Sequence, residues 1–471
     1  MKRMKLKRHY LNNKKEQRKE TNNVTYKEAR VYLDEVSKYG SVLGLDSIRN
    51  LLYELGNPQK DLTFIHIAGT NGKGSVLAYT STIFSEAGLR TGRYVSPTVL
   101  GYRERIQLDG QWISEEIFAE LVEEVQKAVA RMEADGKASP TVFEVETAIA
   151  FLYFRNMKCD IVVLETGLGG SMDATNIVEN TAIAAFATIS RDHMGFLGDT
   201  LEEIASNKAG IIKPGCMVIS APQEAAVCQV LEAKAKVCGS TVVYVDPEAI
   251  QLMEESYLGQ TFSYQGMENI RIPLAGRYQL MNAATAWEVI QAWNQMQEQD
   301  MAHCRQKCVK QESEDKIILE DAIREGFAHT EWNGRFTCIM EDPVFIVDGA
   351  HNEDAARRLR ESVEAYFPNK KLTYIMGVFK DKEYEKIVDL MRPYAKRVYT
   401  VNLPDENRSL DAETLAQTIR QATDGTIDVQ AVGEIEQAVK LAVEQAEQDD
   451  VILAFGSLSY LGRVIQKIKR K

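Results

Sequence analysis

The sequence has no apolar run of about 18 or more residues, so a transmembrane helix is not expected. Its basic start, residues 1–23, lacks the apolar stretch of a signal peptide. That segment reads as a disordered tail rather than an arm for nucleic acid or membrane. Positive charge is in deficit. There are 56 Lys and Arg against 68 Asp and Glu, for a formal net charge of −12. Such a surface repels nucleic acid and anionic membranes, so neither is an expected partner. Anionic substrates would need a local positive site. Cysteine is sparse, odd in number and scattered, at 159, 216, 228, 238, 304, 308 and 338. With no signal peptide, this fits a reduced, cytoplasmic setting. His303, Cys304 and Cys308 lie in a polar stretch without a second ligand pair, and no metal is expected there.

What is present is strand and helix in alternation. At 471 residues the chain exceeds one ordinary core, so two domains are expected. Short apolar runs at 63–69, 160–167, 182–190, 344–350, 372–378, 397–403 and 451–457 read as strands covered on both faces. Helix-period stretches lie at 76–88, 115–136 and 200–210. In the last, Thr200 and Glu203 form a capping box, and Gly210 reads as a stop. Strand–helix alternation implies parallel α/β sheets. The polar stretch 296–316 reads as a surface insertion. The second α/β pattern begins after Trp332-Asn333-Gly334-Arg335, giving an expected division into 1–23, 24–333 and 334–471.

Gly69-Thr70-Asn71-Gly72-Lys73-Gly74-Ser75 follows the first strand and opens a helix. Glycines let the backbone turn and expose its N–H groups. The helix N-terminus adds positive potential and Lys73 a full charge. Together these suit a triphosphate, with contacts from Asn71, Gly72, Lys73, Gly74 and Ser75. A glycine between lysine and serine departs from the usual phosphate loop.

The segment Ile65–Ser75 resembles the ATP loop of the Mur ligase superfamily, in its folylpolyglutamate/dihydrofolate synthase branch. The likeness recurs in order. It runs through Thr141–Glu144, then Glu165-Thr166-Gly167-Leu168-Gly169-Gly170 with Asp173–Asn176. Next come Asp192-His193 with Leu197-Gly198, Thr200 and Lys208–Ile211. Asn282-Ala283, Gly334-Arg335, Asp348–Asn352 and Gly456–Leu458 complete it, so that about residues 37–465 are covered. The resemblance implies an N-terminal P-loop ATPase domain with a mostly parallel central sheet, plus a smaller Rossmann-like C-terminal α/β domain. It implies ATP and two Mg²⁺ ions. Ser96 and Glu144 would serve one ion, Glu144 and His193 the other. It gives Asn282 an adenine contact, Asp348 a ribose contact and Arg335 a phosphate contact. Lys73, Lys208, His193 and His351 become the catalytic candidates, with Lys208 carbamylated in relatives. Alone, the Asp348–Asn352 segment is equally a polar turn after a strand.

The implied activity is ATP-dependent ligation of L-glutamate to a folate-type carboxylate, on folate, dihydropteroate or both, through an acyl phosphate. A monomer is expected. Another acid–amino-acid ligase of the superfamily is the alternative, and a nucleotide-dependent switch a weaker one. Ser96-Pro97-Thr98 stands where many relatives have Ser-Pro-His, which leaves the detail of pterin recognition open.

Overall fold

The computed structural model describes residues 24–37, 44–192, 197–306 and 316–469, with the side chains of 300–306 outside that description. The basic start and the Cys308 position therefore lie outside the described residues, as do the side chains of His303 and Cys304.

The first lobe is built on an eight-stranded sheet in the order β4-β3-β2-β5-β1-β6-β7-β8. Its strands are β1 (Phe64–Ala68), β2 (Thr91–Tyr94), β3 (Ile106–Leu108), β4 (Gln111–Trp112), β5 (Ile161–Glu165), β6 (Thr181–Phe186), β7 (Met217–Ser220) and β8 (Val242–Tyr244). From β2 to β8 every neighbouring pair is parallel, and β3 and β4 close the edge antiparallel. β1 lies inside the sheet and is fully buried, so the loop leaving its carboxyl end opens at the sheet's centre.

Alternate strand residues go to opposite faces. Phe64, Tyr94, Val162 and Leu164 pack on one side, against Val145, Ile149 and Leu152. Ile65, Ile67, Val163 and Ile183 pack on the other, against Val76, Leu77 and Tyr79. These partners come from helices α1 (Lys73–Glu86) and α2 (Val142–Asn156). Apolar cover on both faces is why the strands read as continuous hydrophobic runs.

A three-stranded antiparallel sheet follows, of β9 (Gln251–Ser256), β10 (Gly259–Tyr264) and β11 (Met267–Ile272). The second lobe is a six-stranded sheet ordered β12-β13-β17-β14-β15-β16. Its strands are β12 (Thr337–Glu341), β13 (Val344–Val347), β14 (Leu372–Met376), β15 (Ala395–Val401), β16 (Asp428–Gly433) and β17 (Val451–Phe455). All pairs are parallel except β12 with β13.

Each of the seven apolar runs forms a strand. Helix α3 (Leu201–Lys208) carries the expected capping box: Thr200 Oγ1 accepts from Glu203 N at 3.2 Å, and Thr200 N donates to Glu203 Oε2 at 3.1 Å. Gly210 is not its stop. The helix ends at Lys208, and Ala209–Ile211 form a short 3-10 turn. Gly210 is needed there because a Cβ would overlap the Ser171 hydroxyl. In the polar stretch 296–316, helix α4 (Tyr278–Gln306) runs on as far as Gln306. Among the described residues no helix is long and apolar enough to cross a membrane.

Candidate active site

The loop after β1 turns where only glycine fits. Gly69 has φ 151°, and a Cβ would sit 2.9 Å from that of Ala187. Gly72 has φ 94° and lies against the Asn282 amide. Gly74 lets the Trp332 ring approach the first turn of α1, since a Cβ would lie 2.8 Å from it. The loop thus presents the N-terminal turn of α1 to a cleft of about 600 Å³ between the two lobes.

Two lysines enter that loop. Lys73 Nζ donates to the carbonyls of Gly69 and Thr70 at 3.2 and 3.3 Å. Lys208, 4% exposed, donates to the same Gly69 carbonyl at 2.8 Å. Burial, then the charge of Lys73, lowers the Lys208 amine to about 7. Ser75 is buried with no hydrogen-bond partner for its hydroxyl.

Glu165 ends β5 in the cleft. Its buried carboxylate accepts from Ser96 N at 3.2 Å. Burial raises its pKa, while Lys73 and Arg335 pull it back. The hydroxyl of Ser96 is buried beside it without a partner. Glu144 is elsewhere, which corrects the sequence-based assignment. It occupies the third position of α2 and closes that helix's capping box by accepting from Thr141 N at 2.7 Å. Its other oxygen accepts from Ile48 N at 3.1 Å, and it does not line the cleft. The Thr141-x-x-Glu144 spacing is a helix-start signal, and the carboxylate is occupied by that role. Glu165 was legible as part of a motif, but nothing in the local spacing gave it a task. His193 lies outside the described residues.

The second lobe contributes the opposite wall. Asp348 follows β13 and accepts from Phe336 N and Ala350 N, both at 2.8 Å, and from Tyr278 Oη at 3.2 Å. It therefore ties the connecting segment to its own lobe and to the start of α4. Burial raises its pKa, and Arg335 opposes the rise. Arg335 lines the cleft with its guanidinium on the Gly334 carbonyl at 3.1 Å. Asn282 lines it from α4 and donates to Gln279 Oε1 at 3.0 Å. The His351 ring has Nδ1 2.8 Å from Gly349 O; a carbonyl only accepts, so Nδ1 carries the proton. Burial brings its pKa down to about 4, so the ring is neutral near pH 7.

Sequence reasoning gave no role to the polar bridge across the cleft. Lys382 meets Asp192 at 3.0 Å, Asn352 meets Asp192 at 3.1 Å, and Asn71 meets Asp354 at 2.8 Å. Lys382 sits in a polar loop with no recognisable spacing, so no sequence signal could have found it.

Lys73, Lys208, Ser96, Asn282, Arg335, Asp348 and His351 thus share one cleft with the glycine-rich loop. Residues 67–290 match the Mur ligase middle domain, and residues 334–458 the Mur ligase glutamate ligase domain. A dihydrofolate synthase/folylpolyglutamate synthase of Bacillus subtilis is 31% identical, over 94% of this chain and 99% of the relative. The crystal structure of folylpolyglutamate synthase from Thermotoga maritima is 30% identical, covering 94% of this chain and 96% of its own, with a TM-score of 0.78. Escherichia coli FolC in complex with DHPP and ADP is 27% identical, covering 96% and 99%, with a TM-score of 0.80. The protein belongs to the folylpolyglutamate/dihydrofolate synthase family of Mur ligases.

Proposed function

We propose that the protein joins L-glutamate to the carboxylate of a folate-type acid, with ATP supplying the activation. The observation that carries this is the convergence of Lys73, Lys208 and Arg335 on a glycine-rich loop in an interlobe cleft. A carboxylate and an amine do not condense in water near pH 7. A carboxylate oxygen would attack the γ-phosphorus, breaking its bond to the bridging oxygen and releasing ADP. The glutamate nitrogen would then attack the acyl carbon. The C–N bond forms, phosphate leaves with the former carboxylate oxygen, and the amine loses a proton. Phosphoryl transfer needs positioning and charge neutralisation more than covalent help. The α1 N-terminus, Lys73 and Arg335 bring the two anions together. The neutral His351 ring lines the same cleft, with Nε2 3.8 Å from the Asp192 carboxylate.

Among the described residues no group of three His, Cys, Asp or Glu could hold a metal ion. Mg²⁺ bound with a triphosphate does not require one, because phosphate oxygens and water fill most of its shell. The unpartnered Ser96 hydroxyl beside the Glu165 carboxylate fits such an ion. Bound there, it would neutralise phosphate charge. Lys208 fits carbamylation, since a buried amine with pKa about 7 is partly neutral at neutral pH and only the neutral amine adds CO₂.

We take the division at Asn333/Gly334 as the domain boundary and one chain as the catalytic unit. The described cysteines are all free thiols, which supports a reducing, cytoplasmic setting.

The test is ADP release from Mg-ATP with L-glutamate and either dihydropteroate or tetrahydrofolate. The reading requires release that needs both acid and glutamate. The acid that supports it identifies the substrate, and release without either would favour a nucleotide switch.

A further inference from the structure

Polar contacts across the cleft converge on two residues. Asp192 lies on the first lobe, beyond β6. Asn352 lies on the second and caps helix α5 (Glu353–Tyr366), accepting from Ala355 N at 2.9 Å. Lys382, on the loop after β14, reaches over to Asp192 with Nζ 3.0 Å from Oδ1. The two side chains are only 9% and 10% exposed. Asn352 donates to the other Asp192 oxygen at 3.1 Å and pairs amide to amide with Asn71 of the glycine-rich loop at 3.3 Å. Asn71 also donates to Asp354 on the first turn of α5 at 2.8 Å.

Exposed ion pairs contribute little. A pair this buried is different, because losing one partner strands a desolvated charge. The Asp192–Lys382 pair forms only while the lobes are together. Asn352 links it to the loop that would hold the triphosphate.

We propose, building on the ligase reading above, that Lys382 is a positioning residue. With Asp192 it forms a latch across the cleft, joined through Asn352 to Asn71, that keeps water from the acyl phosphate until the amine attacks. The competing reaction is hydrolysis. Water adds across the acyl–oxygen–phosphorus linkage, regenerates the carboxylate and releases phosphate without forming an amide. The latch sets the ratio between the two routes by excluding water from the closed cleft.

The experiment measures phosphate and amide product together in the full-length protein with Mg-ATP, L-glutamate and the supporting acid. Wild type should release equal amounts. Lys382→Met should release several-fold more phosphate than amide. Lys382→Arg should return close to parity, because its guanidinium still reaches Asp192. Asn352→Asp offers a second route. It keeps a good helix cap but sets a like charge beside Asp192, and it too should uncouple. A folding change alone would lower both products in step. Wild-type stoichiometry in Lys382→Met or in Asn352→Asp would overturn the latch, as would Lys382→Arg uncoupled as badly as Lys382→Met. Absence of glutamate-dependent turnover in the wild type would instead strike the ligase reading.

Discussion

Lys208 lies far from its ordinary chemistry. Its amine falls from 10.5 to about 7 because it is buried and faces the Lys73 charge. Between those values the unfolded chain binds more protons at this position than the folded one. Stability at this site therefore rises with pH over that window. Lys208→Met removes the cost of burying the charge and leaves the Gly69 carbonyl with Lys73. In CO₂-free buffer, Lys208→Met should be the more stable protein near pH 7, and the gap should narrow towards about pH 10. Denaturant titrations across that range measure it, and a pH-independent gap contradicts the account. The same site should take up ¹³C-labelled CO₂ increasingly as pH rises through 7. At Lys73, replacement by alanine removes one preorganised cation. Turnover should fall roughly 10²–10³-fold, as when one donor to developing charge is lost. Circular dichroism should remain unchanged, and near-normal turnover would displace Lys73 from the site.

At the scale of elements, one glutamate closes a helix cap and another faces the cleft. Glu144 closes the N-terminal turn of α2 and holds Ile48 N. Glu144→Ala should destabilise the protein by about 1–3 kcal/mol, because two buried N–H groups lose their acceptor. Its Mg²⁺ requirement should stay as in wild type. Glu165→Gln should do the reverse, raising the Mg²⁺ concentration for half-maximal turnover several-fold with little change in melting temperature. Swapped outcomes would return the metal role to Glu144.

This contrast marks what was legible in the sequence. The seven apolar strands announced themselves because both their faces are buried, as with Phe64 and Ile65 on opposite sides of β1. β2, β8 and β16 did not, being short or polar, as in Thr91-Gly92-Arg93-Tyr94 and Asp428–Gly433. The phosphate loop could be read because it is contiguous and follows a strand. Glu144 drew a metal role from the family resemblance, whereas in the fold its Thr141-x-x-Glu144 spacing serves the helix cap. Lys382 was invisible because its partner is 190 positions away.

Across the whole molecule, a net charge of −12 contrasts with a cleft whose lining carries three lysines and three arginines against four carboxylates. Two lobes close on one another through Asp192, Asn352 and Lys382. The arrangement accounts for how two anions meet and react away from water. Its central claim is that the acid itself is phosphorylated. The direct measurement uses a folate-type acid with ¹⁸O in its reacting carboxylate, together with Mg-ATP and L-glutamate. Mass analysis of the released phosphate should find one ¹⁸O, carried over from the carboxylate. Unlabelled phosphate accompanying amide formation would contradict the account.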